Sequence, residues 1–173
     1  MALPPDLPRV PLTAVVIRVV QAGLDPLGTE GSLKAGGRWN PPNEFGALYT
    51  SLEAATAAKE VARGLRQRGI DPTAFPPDAW WAYELEVMLD RVIDLTNPDV
   101  LQTIGVSQDS LTGPDLDIAR EIAGQARERG YEALLVPSAA DPGSKNLVMF
   151  VDRLTVTPNV LSSRPVSFGE EAS

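Results

Sequence analysis

Residues 13–20, TAVVIRVV, are β-branched and apolar on both faces apart from Arg18, a pattern that predicts a central strand. GALYTS (46–51) predicts a second, short strand that runs straight into SLEAATAAKEVARGLRQRG (51–69). The latter repeats at helical spacing, with Ser51 as candidate N-cap, Glu53 in the first turn and Gly69 as the stop. Its apolar stripe is Leu52, Ala55, Ala62 and Leu65. WWAYELEVMLDRVIDL (80–95) alternates in part and predicts one long strand or a bent pair. NPDVLQTIG (97–105) predicts a short helix capped by Asn97 with Pro98 at its first position. GPDLDIAREIAGQARERG (113–130) predicts a second full helix with Leu116, Ala119, Ile122, Ala123 and Ala126 on one stripe. EALLVPS, NLVMFVD and LTVTP read as closing strands, with AADPGSK as a loop between the first two.

Between these elements the pattern weakens. The first eleven residues are proline-rich and extended, and residues 21–43, rich in Gly, Pro and Asn, read as one long loop. Loops of that length in compact domains are usually functional or disordered. The expected division is an extended segment over 1–12, one domain over 13–158 and a polar, weakly ordered tail over 159–173. The order of elements predicts an α+β fold, a mixed and mostly antiparallel sheet with flanking helices. No GxGxxG joins a strand to a helix, so the pattern is not a dinucleotide-binding βαβ unit.

Composition narrows the chemistry. A chain of 173 residues, 43% hydrophobic, suffices for one sizeable core. A net charge of −8 disfavours nucleic acid and anionic membranes, which require clustered cations. Histidine and cysteine are both absent, which removes disulfides, zinc–thiolate sites, cysteine nucleophiles and every Ser-His-Asp triad. No metal is expected, and proton chemistry falls to carboxylates, Tyr, Lys, a terminal amine or the substrate itself. MALPPDLPRVPL lacks a charged region followed by an apolar core, and AVVIRVV is too short to span a bilayer. The expected location is the cytoplasm.

Four positions carry candidate chemistry. In AGGRWNPPNEFGALYTS (35–51), Arg38 sits beside Trp39 in a loop loosened by two glycines and stiffened by two prolines. A guanidinium there fits a phosphate or pyrophosphate, or else a neighbouring carboxylate. Glu60 lies on the helix among Thr56, Ala57 and Gly64, small residues that let a ligand approach; its ordinary role is a solvated partner in helical pairs. Tyr49 suits either core packing or a platform for a planar ring. Ser138, at a strand end, suits a turn and has no histidine to make it a nucleophile.

Taken together, GGRWNPP…LYTS…AAKE, VIDLTNPDVLQTIGV and GYEALLVPS…NLVMFVD resemble the RES-domain family, over roughly residues 13 to 157. This family comprises toxins of bacterial Xre-RES toxin–antitoxin pairs. The resemblance implies an ADP-ribosyltransferase-like fold and NAD as substrate. It implies Arg38, Glu60 and Ser138 as the catalytic set, and Arg18, Arg38, Trp39, Tyr49, Ser138 and Asn146 as substrate-binding residues. Arg38 and Arg18 would hold the pyrophosphate, Tyr49 would stack on nicotinamide, and Ser138 would orient the ribose or Glu60. It further implies an Xre-like antitoxin as partner and, for members that work by phosphorolysis, inorganic phosphate. Hydrolysis, ADP-ribosyl transfer to a protein and a catalytically silent binding module remain the alternatives, with NAD degradation favoured. Where the family commonly has Gly after RWNPP this chain has Asn43, the non-glycine residue best suited to the left-handed region.

Overall fold

The alternating run in the middle of the chain forms one uninterrupted strand, and the sheet is built around it. In a computed structural model, which describes residues 1–169, strands β1 (Val10–Gln21), β2 (Leu48–Ser51), β3 (Trp80–Asp94), β4 (Ala133–Pro137), β5 (Lys145–Met149) and β6 (Asn159–Val166) form one sheet. Helices α1 (Glu30–Ala35), α2 (Ala54–Gln67), α3 (Pro98–Ile104), α4 (Gln108–Thr112) and α5 (Asp117–Glu128) connect them. β1 pairs with β2, β2 with β5, β5 with β4, β4 with β3 and β3 back to β1, so five strands close a ring. β6 lies outside it on β3. Only β3–β4 is parallel, and α3, α4 and α5 form the crossover that a parallel pair requires. The chain is a single mixed α/β domain.

Closure depends on an irregularity in β3. From Glu84 to Asp90 its residues alternate exposed and buried without fault. Leu12 then faces Leu89 while Val10 faces Val92, so β3 carries one extra residue at this step. There β3 exchanges neighbours, from β6 over Trp80–Glu86 to β4 over Val92–Asp94. The bulge frees two successive N–H groups. The fully buried Glu132 carboxylate accepts from both, Asp90 N at 2.7 Å and Arg91 N at 3.0 Å, and its other oxygen accepts from Thr155 N and Oγ1. Burial would raise this carboxyl, but these bonds outweigh it and hold the group below its ordinary 4.5.

Three apolar clusters result. One fills the ring, with Val16, Leu48, Leu85, Val87, Leu147 and Met149. A second lies under α3–α5 and includes Ala119, Ile122, Ala123 and Ala126 of the predicted stripe, whereas Leu116, its fifth member, is the half-buried N-cap of α5 and lies outside the cluster. The third lies under α2, where Ala62 and Leu65 are buried as expected while Ala55 is exposed.

Several expectations need correction. β1 starts at Val10, and the extended segment before it is docked: Leu3 and Leu7 are buried, and Tyr131 Oη donates to Leu7 O. Helices α1 and α4 were not expected, since each has only one turn or so of pattern. Ser51 ends β2 instead of capping α2, whose N-cap is Glu53 with no side-chain cap. LTVTP is not a strand; the closing strand is β6, inside the segment read as a weakly ordered tail. Its pattern is polar because an outer strand has no apolar face to cover, and Phe168 beyond it is buried against Trp80. Residues 170–173 of that tail lie outside the described residues.

Candidate active site

The site begins with the way α2 is anchored. Thr56 Oγ1 and Lys59 Nζ, in its first turns, both donate to Asp141 in the β4–β5 loop, at 2.8 and 3.1 Å. The Thr56 bond first, then Lys59, holds the Asp141 carboxyl below its ordinary range. This anchoring sets Glu60, on the same helix, against the ends of β4 and β5. Its Oε1 accepts from Ser138 Oγ at 2.6 Å and from Asn146 Nδ2 at 2.7 Å, with a longer approach from Ala140 N at 3.5 Å. Asn146 is oriented in turn by Ser51, whose Oγ donates to its Oδ1 at 2.7 Å. Ser138, 4% exposed, also accepts from Ala140 N and Asp141 N. It therefore positions both the turn and the carboxylate, and none of its bonds is that of a nucleophile. Oε2 of Glu60 has no hydrogen bond among the described residues.

The glycine-rich loop is built around Tyr49. The Tyr49 hydroxyl donates to Asn40 Oδ1 at 2.7 Å and accepts from Trp39 N at 2.9 Å; burial pushes its pKa well above the ordinary value. Asn40, fully buried, donates to the carbonyls of Ser32 and Phe45. A Cβ on Gly37 would lie 2.4 Å from the Tyr49 hydroxyl oxygen, so no side chain fits there. Asn43 has φ 67, the left-handed conformation expected of it, and its N–H donates to Leu33 O.

The loop sets the Arg38 guanidinium on backbone carbonyls. Its guanidinium donates to Gly113 O at 2.7 Å and more weakly to Thr112 O, and no ion pair involves it among the described residues. Burial and then the neighbouring Arg63 lower its pKa, while Glu60 opposes them. Arg18 is bound through Nη1 to the carbonyls of Pro26 and Gly28, each at 2.7 Å, and burial draws its pKa down to about 10 against the influence of Asp25. Arg120 Nε donates to Gly37 O. Arg18, Arg38 and Arg120 thus direct hydrogen bonds to carbonyl oxygens and form no ion pair among the described residues, an arrangement that favours an anionic ligand nearby.

A cavity of about 600 Å³ opens on this arrangement, within the range of small-molecule sites. Arg18, Gly36, Gly37, Tyr49, Ser51, Glu60 and Asn146 contribute to its wall. Four of the residues singled out from the sequence, Arg18, Tyr49, Glu60 and Asn146, therefore meet there. Arg38 and Ser138 stand just behind the wall and act on Glu60 by charge and by hydrogen bond. Trp39 does not reach the cavity: it is 2% exposed and packs in the core under α3–α5. Its placement beside Arg38 in sequence reflects an anchor for the loop. Sequence reasoning missed Ser51, Asn40, Arg120 and Asp141; Asn40 lies inside the RWNPP block and Ser51 inside LYTS, where it reads as a helix cap.

No group of three or more His, Cys, Asp or Glu among the described residues is placed to hold a metal ion. No described helix is long and apolar enough to cross a membrane.

The sequence and the fold both have counterparts among known proteins. The RES domain family matches residues 15–168. The NAD(+) phosphorylase MbcT of Mycobacterium tuberculosis is 29% identical over 126 residues, which cover 73% of this chain and 68% of that protein. A probable NAD(+) phosphorylase of the same organism, Rv3189, is 30% identical over 134 residues, 74% of this chain and 58% of that protein. A chain in the crystal structure of the M. tuberculosis MbcT–MbcA toxin–antitoxin complex superposes with a TM-score of 0.81 at 25% identity, over 92% of this chain and 87% of that one. With its family model matched over nearly the whole domain, the chain belongs to the RES domain family.

Proposed function

We propose that this protein binds NAD in the cavity beside Glu60 and cleaves its nicotinamide–ribose bond by phosphorolysis, as the toxin of a toxin–antitoxin pair. The observation that carries this reading is the fixing of Glu60 Oε1 by Ser138 and Asn146 at the wall of a cavity that Arg18 and Arg68 also line.

The bond between C1″ of the ribose and the pyridinium nitrogen breaks with its electron pair going to nitrogen, so nicotinamide leaves neutral and needs no general acid. Positive charge grows on the ribose, and a phosphate oxygen supplies the pair for the new C1″–O bond, giving ADP-ribose 1″-phosphate. Glu60 stabilises the developing cation through a charge held in place before the reaction begins, which avoids reorganisation during it. Ser138 and Asn146 keep the carboxylate aimed and Ser51 keeps Asn146 aimed. Because both bonds of its hydroxyl are committed to the loop, Tyr49 offers the ligand its ring, as a surface for nicotinamide. Arg18 and Arg38 supply charge for the pyrophosphate or for the acceptor. The absence of imidazole carries no penalty in this chemistry.

Three finer points complete the proposal. The strand ring with a carboxylate on the helix after β2 is read as ADP-ribosyltransferase-like. The regulator is a protein antitoxin, Xre-like by the family pattern, which closes the cavity mouth. The place of action is the cytoplasm, where NAD is available. Support for phosphate as acceptor comes from the names of the mycobacterial relatives and from the cations around Glu60.

The test is product identification by mass spectrometry after incubation with NAD, with and without inorganic phosphate. ADP-ribose 1″-phosphate formed only with phosphate is the expected result. Free ADP-ribose in both buffers would make water the acceptor, and intact NAD in both would refute cleavage.

A further inference from the structure

Within the cavity wall, α2 contributes Ala57, Glu60, Val61, Gly64 and Gln67, and its C-cap contributes Arg68. These positions follow the spacing i, i+3, i+4, i+7, i+10, i+11, a single stripe along one face of the helix. Only Ala57 precedes Glu60 on it, so the cavity runs from the carboxylate toward the C-terminal end of α2. Gly64 is one turn along this track, about 6 Å beyond Glu60, and Arg68 is about 12 Å beyond it.

Gly64 has no structural reason to be glycine. It lies inside α2 with helical backbone, and a Cβ built on it meets nothing within 4 Å. In a helix, glycine is less favourable than alanine by about 0.8–1 kcal/mol, and no packing contact here requires that sacrifice. Gly124 in α5 is equally uncrowded, but it does not border the cavity. What distinguishes Gly64 is the space in front of it. At the outer end stands Arg68, exposed, with Nε on Gly64 O at 3.3 Å and no carboxylate partner among the described residues.

We infer that Gly64 is a specificity-determining residue that keeps this track open for the adenosine half of the dinucleotide, with Arg68 at its end as a phosphate or ribose contact. The inference rests on NAD as the ligand and fixes its direction: the scissile end lies at Glu60, and the remainder extends along α2 past Gly64. A donor that ends before the track, nicotinamide mononucleotide, does not use it.

Binding in a Glu60→Gln background, followed by calorimetry, tests this separately from the reaction. Turnover of NAD by the wild-type chain reports on the reaction, whereas affinity in the inactive background reports on the track. Adding Gly64→Leu should weaken NAD binding at least tenfold and leave nicotinamide mononucleotide binding within about twofold. The melting temperature should hold or rise, since leucine is the better helix former. Gly124→Leu, with the same propensity gain, should leave both affinities unchanged. Unaltered NAD affinity in the Gly64→Leu protein would overturn the inference. So would equal loss for both ligands, which places the blockage at the catalytic end, or a fall in melting temperature, which makes Gly64 a packing residue.

Discussion

At the scale of single residues, the account centres on one carboxylate oxygen and the groups that hold it. Glu60→Gln preserves an acceptor for Ser138 and Asn146 and removes only the charge. It should slow nicotinamide release by about 10²–10³-fold, comparable to the loss of one preorganised electrostatic contact elsewhere, with no change in melting temperature. Ser138→Ala differs in kind. It frees Glu60 and also strands the Ala140 and Asp141 N–H groups, so kcat should fall while stability drops by about 1–3 kcal/mol. Tyr49→Phe takes partners from Trp39 N and Asn40 Oδ1, and chemical denaturation should show a similar loss. Much of the candidate site was legible in the sequence at this scale because Arg38, Tyr49, Glu60 and Ser138 stand in the stretches that carry the family resemblance. Ser51 was not legible: a serine between a strand and a helix looks like a cap, and only the register of β2 on β5, which sets Ser51 opposite Asn146, shows its use.

Elements position these residues, and here the sequence was informative where pattern was long. The alternation in β3, the stripe of α5 and the Asn97 cap of α3, which accepts from Asp99 N at 2.9 Å, all follow from local rules. The one-turn helices α1 and α4 fell below the length at which periodicity can be read, and β6 carries no apolar face to betray it. Trp39 shows the limit differently: its neighbours in the chain suggested a ligand contact, whereas its side chain serves the core. The loop that carries it depends on Gly37. Gly37→Ala should displace Tyr49 by forcing a Cβ into its hydroxyl, lowering both the melting temperature and the rate of NAD consumption. An unchanged rate would mean that the Tyr49–Asn40–Trp39 arrangement does not position the site.

At the scale of the molecule, the ring of strands is secured where β3 changes neighbours, and the buried Glu132 makes that exchange tolerable by satisfying the bulge. Nothing in the linear pattern announces this, because the extra residue is defined only by the partner strand. Its folded-state pKa lies below the ordinary 4.5, so its contribution is complete above that pH and is lost as pH falls through the folded value. Glu132→Gln should therefore destabilise the protein at pH 7, by about 1.5–3 kcal/mol for bonds to a charged acceptor, and the gap to wild type should close in acid. A gap that persists unchanged to low pH would contradict the role given to the carboxylate. The whole domain thus supports one arrangement, a charge on α2 fixed against the strand ends at the wall of a cavity that Arg18 also lines. Nicotinamide release, measured against phosphate concentration for the wild type and Glu60→Gln at matched folding, tests that arrangement most directly. The account predicts a wild-type rate that rises with phosphate and saturates, and a variant rate lower by about two orders of magnitude or more. Equal rates in the two proteins would contradict it.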